Sequence, residues 1–371
     1  MSGFPEDDYN PFRPVWEDNE EEKGLDLPPS LQYRKPTTEL SLSDPELLRG
    51  LLETEQTLSR LDATVSASPP SIREGLIARM AFREASGWLA QASQWVHPND
   101  VALRSLGLTG SYIASAKAGT LKRDLPNTLS ETSFAEDENT VVGDRTVALA
   151  LALAKILTHL PKNALENADT VQNALVPLGW VVDDLKTVQV VDWLLDYRED
   201  TKKLPTIVAA LYAAAVWRSI DDGVEDEVDL RAGFLLTCAM SERLRTIPLP
   251  FWTARPIVYG LQKSASPFGK ERVVGQLKLI NESGLSAMRE LERLTDFQKR
   301  FTDLTTRLTK RSRMSDAIDA AIRLPIVTPQ TLSRRLKITP QASTKLLRHL
   351  SDIALMTEST GRKSFRGFTI K

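Results

Sequence analysis

The sequence is poor in the residues that build metal and redox centres. It has one cysteine, Cys238, and three histidines, His97, His159 and His349, which lie in separate segments. A single cysteine has no partner for an internal disulfide. The histidines are neither paired with each other nor spaced like zinc ligands around Cys238. We therefore expect neither a metal ion nor a cofactor.

Short motifs that are typical of common enzymes are also missing. The chain contains no GxxxxGK[ST] phosphate loop, no GxGxxG dinucleotide fingerprint, no HExxH and no GxSxG. These motifs supply the phosphate cradle, the zinc ligands or the nucleophile of large enzyme classes. Their absence argues against those classes, and the sequence predicts a protein that is not an enzyme.

Long hydrophobic runs are absent as well. The longest apolar run, residues 147–157, is interrupted by Lys155. It is too short to cross a bilayer, which takes about 20 apolar residues. The acidic start of the chain lacks the apolar segment of a secretory signal. We expect a cytoplasmic protein without a membrane partner, and its 42% apolar and 26% charged residues are ordinary for a globular chain.

Residues 1–35 are rich in acidic side chains and proline. Such a composition buries too little apolar area to offset the entropy lost on ordering. We expect a mostly disordered tail. It is either a solubilising arm or a segment that folds back on a basic surface of the chain as a DNA mimic.

Between residues 36 and 310 apolar residues recur at helical spacing, with proline and glycine breaks at helix-length intervals. Helices are predicted at 45–63, 71–92, 144–160, 183–197, 205–220 and 228–245. The polar, acidic stretch 130–143 separates a first helical lobe, 36–135, from a second, 140–262. Residues 144–160 are apolar nearly all round and are predicted to be central to the second lobe.

A long connecting helix is predicted within residues 270–310. Its apolar positions step by three and four residues and form a seam that consists of Leu294, Phe297, Phe301, Leu304 and Leu308. The seam fits either packing on the second lobe or a self-associating helix that holds two copies at a fixed spacing. We favour the second alternative and expect a homodimer.

Residues 314–371 show a different pattern. Thr328 and Thr339 each precede a proline, which is a cap residue followed by proline at the first helical position. Helices are predicted at 315–323, from Pro329, and at 340–351, and strands at 354–359 and 364–370 around a hairpin tip. We therefore predict a mainly α protein, in which multi-helix N-terminal lobes precede a C-terminal winged helix-turn-helix with a small β-hairpin wing.

Charge is distributed unevenly along the chain. From Lys299 to Lys371 there are 16 Lys and Arg residues against 5 Asp and Glu residues, a net charge of +11, whereas the whole chain carries −2. A basic module on an acidic body is expected for a protein that neutralises phosphates. The pattern favours double-stranded DNA as the partner, although small winged helices also serve as protein-interaction modules.

The predicted recognition helix, 340–351, defines the expected contacts to DNA. Its core face is predicted from Ala342, Leu346 and Leu350. Base-edge contacts are predicted from the residues that then face outward, which are Gln341, Ser343 or Thr344, Lys345 and Arg348. Phosphate contacts are predicted from Lys310, Arg311, Arg313, Arg334 and Arg335. The wing pair that would enter the neighbouring minor groove is Arg362 and Lys363.

The spacing Leu332-x-x-x-Leu336, Thr339-x-x-Ala342-x-x-x-Leu346-x-x-x-Leu350 and Leu355 resembles the winged helix that often closes Fic-type proteins and many bacterial regulators. Such modules usually have a glycine where this chain has Ile353. The resemblance to Fic-type proteins implies AMP transfer as a candidate activity. This reaction needs a histidine base and a glycine-rich anion loop in an HPFxxGNGR-like run. The nearest segment, residues 267–272, lacks the histidine, the asparagine and the second glycine, so a Fic-like enzyme is expected only in degenerate form.

The stretches 82–89, 95–104 and 108–112 resemble a rhizobial, often plasmid-borne family. That family pairs a domain of unknown function with a C-terminal helix-turn-helix, and the resemblance covers most of residues 70–371. The resemblance implies this architecture and little about mechanism. From the basic C-terminal module and the helical lobes we predict a transcriptional regulator whose helical region senses a small-molecule or protein effector. The remaining alternatives are a degenerate Fic-like enzyme and a winged-helix adaptor that binds protein.

One polar cluster lies within these stretches and consists of Arg83, Glu84, His97, Asp100 and Arg104, beside Trp88 and Trp95. It is either a pocket for a small polar ligand or a buried ion-pair network that fixes the register of the helices. We favour the network.

Overall fold

The structure is a computed structural model that describes residues 40–91, 96–106, 144–160, 163–243, 268–305, 313–360 and 366–371. Several predictions lie outside the described residues, namely the acidic tail at 1–35, the loop at 130–143, Trp95 and Leu308. Residues 35–371 form one compact unit.

Twelve α-helices and two short strands make up the described part of the chain, which confirms the predicted fold class. The N-terminal helices are α1 (Pro45–Ala67), α2 (Pro70–Gln91), α3 (Pro98–Ser105), α4 (Asp144–Thr158), α5 (Ala168–Leu175), α6 (Asp184–Asp200), α7 (Thr206–Ile220) and α8 (Glu225–Arg243). The C-terminal elements are α9 (Lys270–Thr305), α10 (Met314–Arg323), α11 (Pro329–Leu336), α12 (Pro340–Asp352), β1 (Met356–Glu358) and β2 (Phe368–Ile370).

Local sequence accounts for the start and the packing of α1. Oδ1 of Asp44 accepts hydrogen bonds from the backbone N–H of Glu46 at 3.0 Å and of Leu47 at 3.2 Å, and Pro45 occupies the first turn. Its buried residues recur every three or four positions: Leu47, Leu51, Thr54, Leu58, Leu61 and Val65. This face packs along α9, while α2 packs along α4.

The centre of the helical body is α7. Every residue from Ile207 to Trp217 is buried. Five of these residues are alanines, which let the backbone of α8 approach closely. We predicted residues 144–160 as the central helix, but the corresponding α4 is buried on one side only, with Ala148 and Lys155 exposed. The prediction was wrong because uniform apolarity does not show whether a helix has neighbours on all sides.

The helix α9 is occupied by packing within the chain. Leu294, Phe297 and Phe301, three members of the predicted seam, are buried with exposures of 0%, 4% and 7%. Their helix packs against α1, α2 and α10. This face is therefore not available to a second copy, and self-association through these three residues was the wrong alternative.

The C-terminal elements form the predicted winged helix-turn-helix. The strands β1 and β2 are antiparallel, with Met356 opposite Ile370 and Glu358 opposite Phe368. Val327, between α10 and α11, extends this sheet by an isolated antiparallel β-bridge. It exchanges backbone hydrogen bonds of 2.9 and 2.8 Å with Phe368. This bridge was not predicted from the sequence, because it involves a single residue and leaves no alternating pattern.

The end of α12 explains why β1 begins at Met356 rather than at the predicted Ala354. The N–H of Leu355 donates to the carbonyl of Leu350 and the N–H of Ala354 to that of Ser351, both at 3.0 Å. This pair of bonds is a Schellman motif, whose left-handed residue is Ala354 with φ of 57°. The left-handed position is therefore one residue later than Ile353, where winged helices usually have glycine.

Candidate nucleic-acid interface

The outward face of α12 carries most of the predicted base-reading residues. Gln341, Lys345 and Arg348 are exposed, and Thr344 is half-buried. The hydroxyl of Thr344 donates to the carbonyl of Pro340 at 2.8 Å, so its hydrogen is already used within the helix. The residues that remain free to reach a base edge are a long amide and two cations, which are the groups that read adenine and guanine in the major groove.

Ser343 lies on the opposite face, which corrects its prediction as an outward residue. It is completely buried, and its hydroxyl donates to the carbonyl of Thr339 at 3.1 Å. The core face of α12 consists of Ser343, Leu347 and Leu350, whereas Ala342 is only half-buried. The prediction of Leu350 was correct, but the other two predicted core positions were each one residue too early. A small serine can take a core position when its hydroxyl bonds to the preceding turn.

The caps that were predicted at Thr328 and Thr339 are present and fix the start of both helices. Thr328 and Thr331 form a reciprocal capping box, in which Thr331 N donates to Thr328 Oγ1 at 3.1 Å and Thr328 N to Thr331 Oγ1 at 2.9 Å. Thr339 Oγ1 accepts from Ala342 N at 3.2 Å. Between them, Lys337 adopts the left-handed conformation with φ of 53° and ends α11.

A basic groove of about 440 Å³ lies between the start of α10 and the end of α11. Arg313, Arg335 and Lys337 line it together with two acidic residues, Asp316 and Asp319. Arg313 is exposed and its Nη1 lies 3.0 Å from Oδ2 of Asp316. The groove brings two predicted phosphate-binding residues together, and it adds Lys337, which was not among the predicted contacts.

The remaining predicted phosphate and wing contacts divide into two groups. Arg334 is exposed at the end of α11. Lys310, Arg311, Arg362 and Lys363 lie outside the described residues.

Residues at the base of the wing are among those that the structure describes. Here the backbone of Gly367 packs closely against the rest of the domain. Gly367 N donates to Thr360 Oγ1 at 2.9 Å. A Cβ at Gly367 would lie 2.5 Å from Cδ1 of Ile326, so only glycine fits there without rearrangement. Nε of Arg366 lies 3.7 Å from Oε1 of Glu358 across the two strands.

The polar cluster of the first lobe serves the packing of helices. Arg83 Nη2 donates to Oε2 of Glu290 on α9 at 2.8 Å, and Nδ1 of His97 accepts from Asn99 N at 3.1 Å as the cap of α3. Trp88 donates to the carbonyl of Asp226 at 3.0 Å. The ion pair of Arg83 with Glu290 fits the favoured alternative, whereas the contacts of His97 and Trp88 are hydrogen bonds with backbone groups.

The segment that came nearest to a Fic loop also makes structural contacts. The ring of Phe268 is buried and meets Tyr212 edge-on with centroids 5.2 Å apart. Nζ of Lys270 lies 2.6 Å from Oδ2 of Asp44, at the start of α1. Within the described ranges there is no group of three His, Cys, Asp or Glu residues arranged to hold a metal ion. No helix in the same ranges is long and apolar enough to cross a membrane.

Comparisons with known proteins identify the C-terminal domain. Residues 314–370 match a family described as "HTH DNA binding domain", and this range covers α10 to β2. No curated protein matches the chain. A solved Fic family protein from Desulfovibrio desulfuricans G20 is similar over 91% of this chain and 98% of its own, with 12% identity and a TM-score of 0.43. That likeness is too weak to support an argument, so the comparisons establish a helix-turn-helix DNA-binding domain at the C-terminus.

Proposed function

We propose that this protein is a cytoplasmic transcriptional regulator that recognises a DNA sequence through α12. The observation that carries the proposal is the exposed row of Gln341, Lys345 and Arg348, in a domain that matches a DNA-binding family. Their spacing of four and three residues places all three on one side of the helix. In a helix-turn-helix protein this side enters the major groove.

Electrostatics supports the same orientation. The region from Lys299 to Lys371 carries a net charge of +11, whereas the whole chain carries −2. Phosphates are attracted to the basic domain and repelled by the acidic remainder, so the charge difference orients the protein as it approaches DNA. Arg334 and Arg335, at the end of α11, are the proposed phosphate contacts that flank the recognition helix.

We further propose that the protein acts as a homodimer through α6. Because Leu294, Phe297 and Phe301 of the α9 seam are buried within the chain, dimerisation needs another surface. Val188, Val191 and Leu195 lie three and four residues apart on α6 and are 44%, 40% and 55% exposed. A row of exposed aliphatic side chains is typical of a contact face, and a two-fold dimer would present two recognition helices to a palindromic site.

An electrophoretic mobility shift with the DNA upstream of the protein's own gene tests the main proposal. We expect a shifted band that persists in excess random DNA and weakens as salt rises, because phosphate contacts release counterions. A protein-interaction adaptor would leave the DNA unshifted even at low salt, and this result would overturn the proposal. A degenerate Fic-like enzyme would instead show a rise in melting temperature with ATP.

A further inference from the structure

A cleft of about 530 Å³ lies where the helical body meets the DNA-binding domain. The body contributes α2, the end of α3 and the end of α4. The DNA-binding domain contributes the end of α10, the connection Leu324–Ile326 and one side chain of α11, Arg335. A volume of this size suits a small organic molecule.

The lining of the cleft is mainly apolar and includes a few polar side chains. Ile77, Phe82 and Leu324 are half-buried, so each offers apolar surface to a molecule in the cleft. Thr158 and His159 add polar groups at the end of α4. The hydroxyl of Thr158 donates to the carbonyl of Lys155 at 2.7 Å and lies 3.0 Å from Nδ1 of His159. The ring is therefore oriented by its neighbour.

The charge of the cleft is set by two arginines that differ in their partners. Arg323 is neutralised, because it forms ion pairs with Glu74 and, at 2.7 Å, with Asp319. Arg335 is exposed, and no carboxylate of the described residues lies within ion-pair distance of it. The lining thus offers one uncompensated positive charge beside an apolar surface.

We propose that this cleft binds a small organic anion with an apolar body, which pairs its charged group with Arg335 and thereby weakens DNA binding. The inference rests on the proposed function, in which Arg335 contacts a phosphate. Arg335 also lines the basic groove between α10 and α11, so one guanidinium serves both surfaces. An anion in the cleft and a DNA phosphate compete for it.

Competition for a shared group has a quantitative consequence. If the anion lowers the affinity for DNA by some factor, DNA lowers the affinity for the anion by the same factor, because the coupling of two equilibria is reciprocal. The loss of one charge-assisted contact corresponds to about a tenfold change in the dissociation constant. The slope of the logarithm of the DNA affinity against the logarithm of the salt concentration should also fall by the contribution of about one phosphate contact.

The probe for the test is 1-anilinonaphthalene-8-sulfonate, a fluorescent anion with an apolar ring system. Its matched control is N-phenyl-1-naphthylamine, which has the same rings without the sulfonate. Titrated into the full chain, the anion should bind one site about tenfold more tightly than the uncharged probe. Arg335→Ala should remove this preference and leave the uncharged probe unaffected. Arg334→Ala, a neighbour that does not line the cleft, should change neither by more than about twofold.

A second variant tests the role of the cleft without changing Arg335. Ala78→Phe places a ring in the cleft from α2. It should abolish binding of both probes while DNA is still shifted. In the unmodified chain the anion should raise the dissociation constant for DNA about tenfold, and in Ala78→Phe it should have no effect.

The failures of the two proposals can be told apart. Equal affinity for both probes, or equal effects of Arg335→Ala and Arg334→Ala, overturns the anion site, whatever happens with DNA. Charge-dependent probe binding with unchanged DNA affinity overturns the competition. Charge-dependent probe binding in a chain that never shifts DNA supports the site and rejects the regulator.

Discussion

The guanidinium of Arg79, on α2, donates a hydrogen bond to the backbone carbonyl of Ile322 in the last turn of α10. It also donates to the carbonyls of Ala321 at 2.8 Å and Leu324 at 2.9 Å. The last carbonyls of a helix have no partner within that helix, so Arg79 caps α10 from the helical body. Its Nε lies 3.3 Å from Oε1 of Glu290 on α9. One buried side chain thus ties the DNA-binding domain to two helices of the body.

Arg79→Ala should lower the free energy of unfolding by about 3–5 kcal/mol, because it leaves buried carbonyls unsatisfied and removes a partner from a buried carboxylate. Urea denaturation at neutral pH measures the change. The control is Arg49→Ala on α1, where the arginine is exposed, and its expected effect is within about 0.5 kcal/mol. Equal effects of the two substitutions would show that the cap contributes nothing.

A glycine next to this cap permits the same close contact. A Cβ at Gly75 would lie 2.0 Å from the carbonyl oxygen of Ile322, a backbone atom. Gly75→Ala should therefore push α10 away from α2 and destabilise the protein by about 1–3 kcal/mol.

Gly50→Ala is the matched control for that substitution. A Cβ at Gly50 would lie 3.5 Å from Cδ1 of Leu277, an ordinary contact. Since alanine is the better helix former, Gly50→Ala should stabilise the protein by up to about 1 kcal/mol. In thermal unfolding, the melting temperature should fall for Gly75→Ala and rise for Gly50→Ala. Stabilisation by Gly75→Ala would contradict the close approach of α10 to α2.

These contacts mark the limit of what the sequence could predict. Helices with a cap and an apolar stripe, such as α1 and α12, were predicted because both signals are local. The hydrogen bond between Arg79 and Ile322 joins residues that are 243 positions apart, and no local pattern encodes it. Val327 forms only a single bridge, so it carried no strand signal.

The candidate site shows the same division. Gln341, Lys345 and Arg348 were correctly predicted to face outward, because charged and amide side chains avoid the core. Ser343 was placed wrongly, since serine is compatible with both environments and only the packed helix decides between them. The short helix Ala168–Leu175 was also missed, because its eight residues contain only two buried apolar positions, Val171 and Leu175, which is too short a pattern to stand out.

The network around Glu290 should also make stability depend on pH. Burial alone would raise the pKa of Glu290, but the charges of Arg83, Arg293 and Arg79 outweigh it and hold the pKa below its usual value. A carboxylate whose pKa is lower in the folded state contributes stability above its unfolded pKa, and this contribution is lost as the pH falls through the folded value. We expect stability to decline from about pH 4.5 downward.

Glu290→Gln isolates this contribution. The variant should be less stable at neutral pH, because the arginines lose their counter-charge. It should also lose less stability than the unmodified chain between about pH 5 and about pH 3, since one titrating group has been removed. Urea denaturation across this pH range compares the two slopes. Parallel curves would mean that Glu290 does not titrate differently in the folded and unfolded states.

The recognition helix provides the test of specificity. Arg348→Ala should cost about 1–3 kcal/mol on the preferred DNA sequence and little on random DNA, because a base-edge contact carries sequence information. Arg334→Ala should weaken binding to all sequences alike and lower the salt slope by about one, because a phosphate contact carries charge alone. Fluorescence anisotropy with both DNAs at several salt concentrations separates the two effects.

Ser343→Ala is the internal control for this experiment, because the buried hydroxyl of Ser343 bonds to the carbonyl of Thr339 and faces away from DNA. It should lower the stability of the domain by about 0.5–1.5 kcal/mol and leave the ratio of preferred to random binding unchanged. If Ser343→Ala changed that ratio as much as Arg348→Ala does, the reading face of α12 would not be the exposed one. If Arg348→Ala and Arg334→Ala reduced binding to both DNAs equally, the domain would bind DNA through charge without reading its sequence.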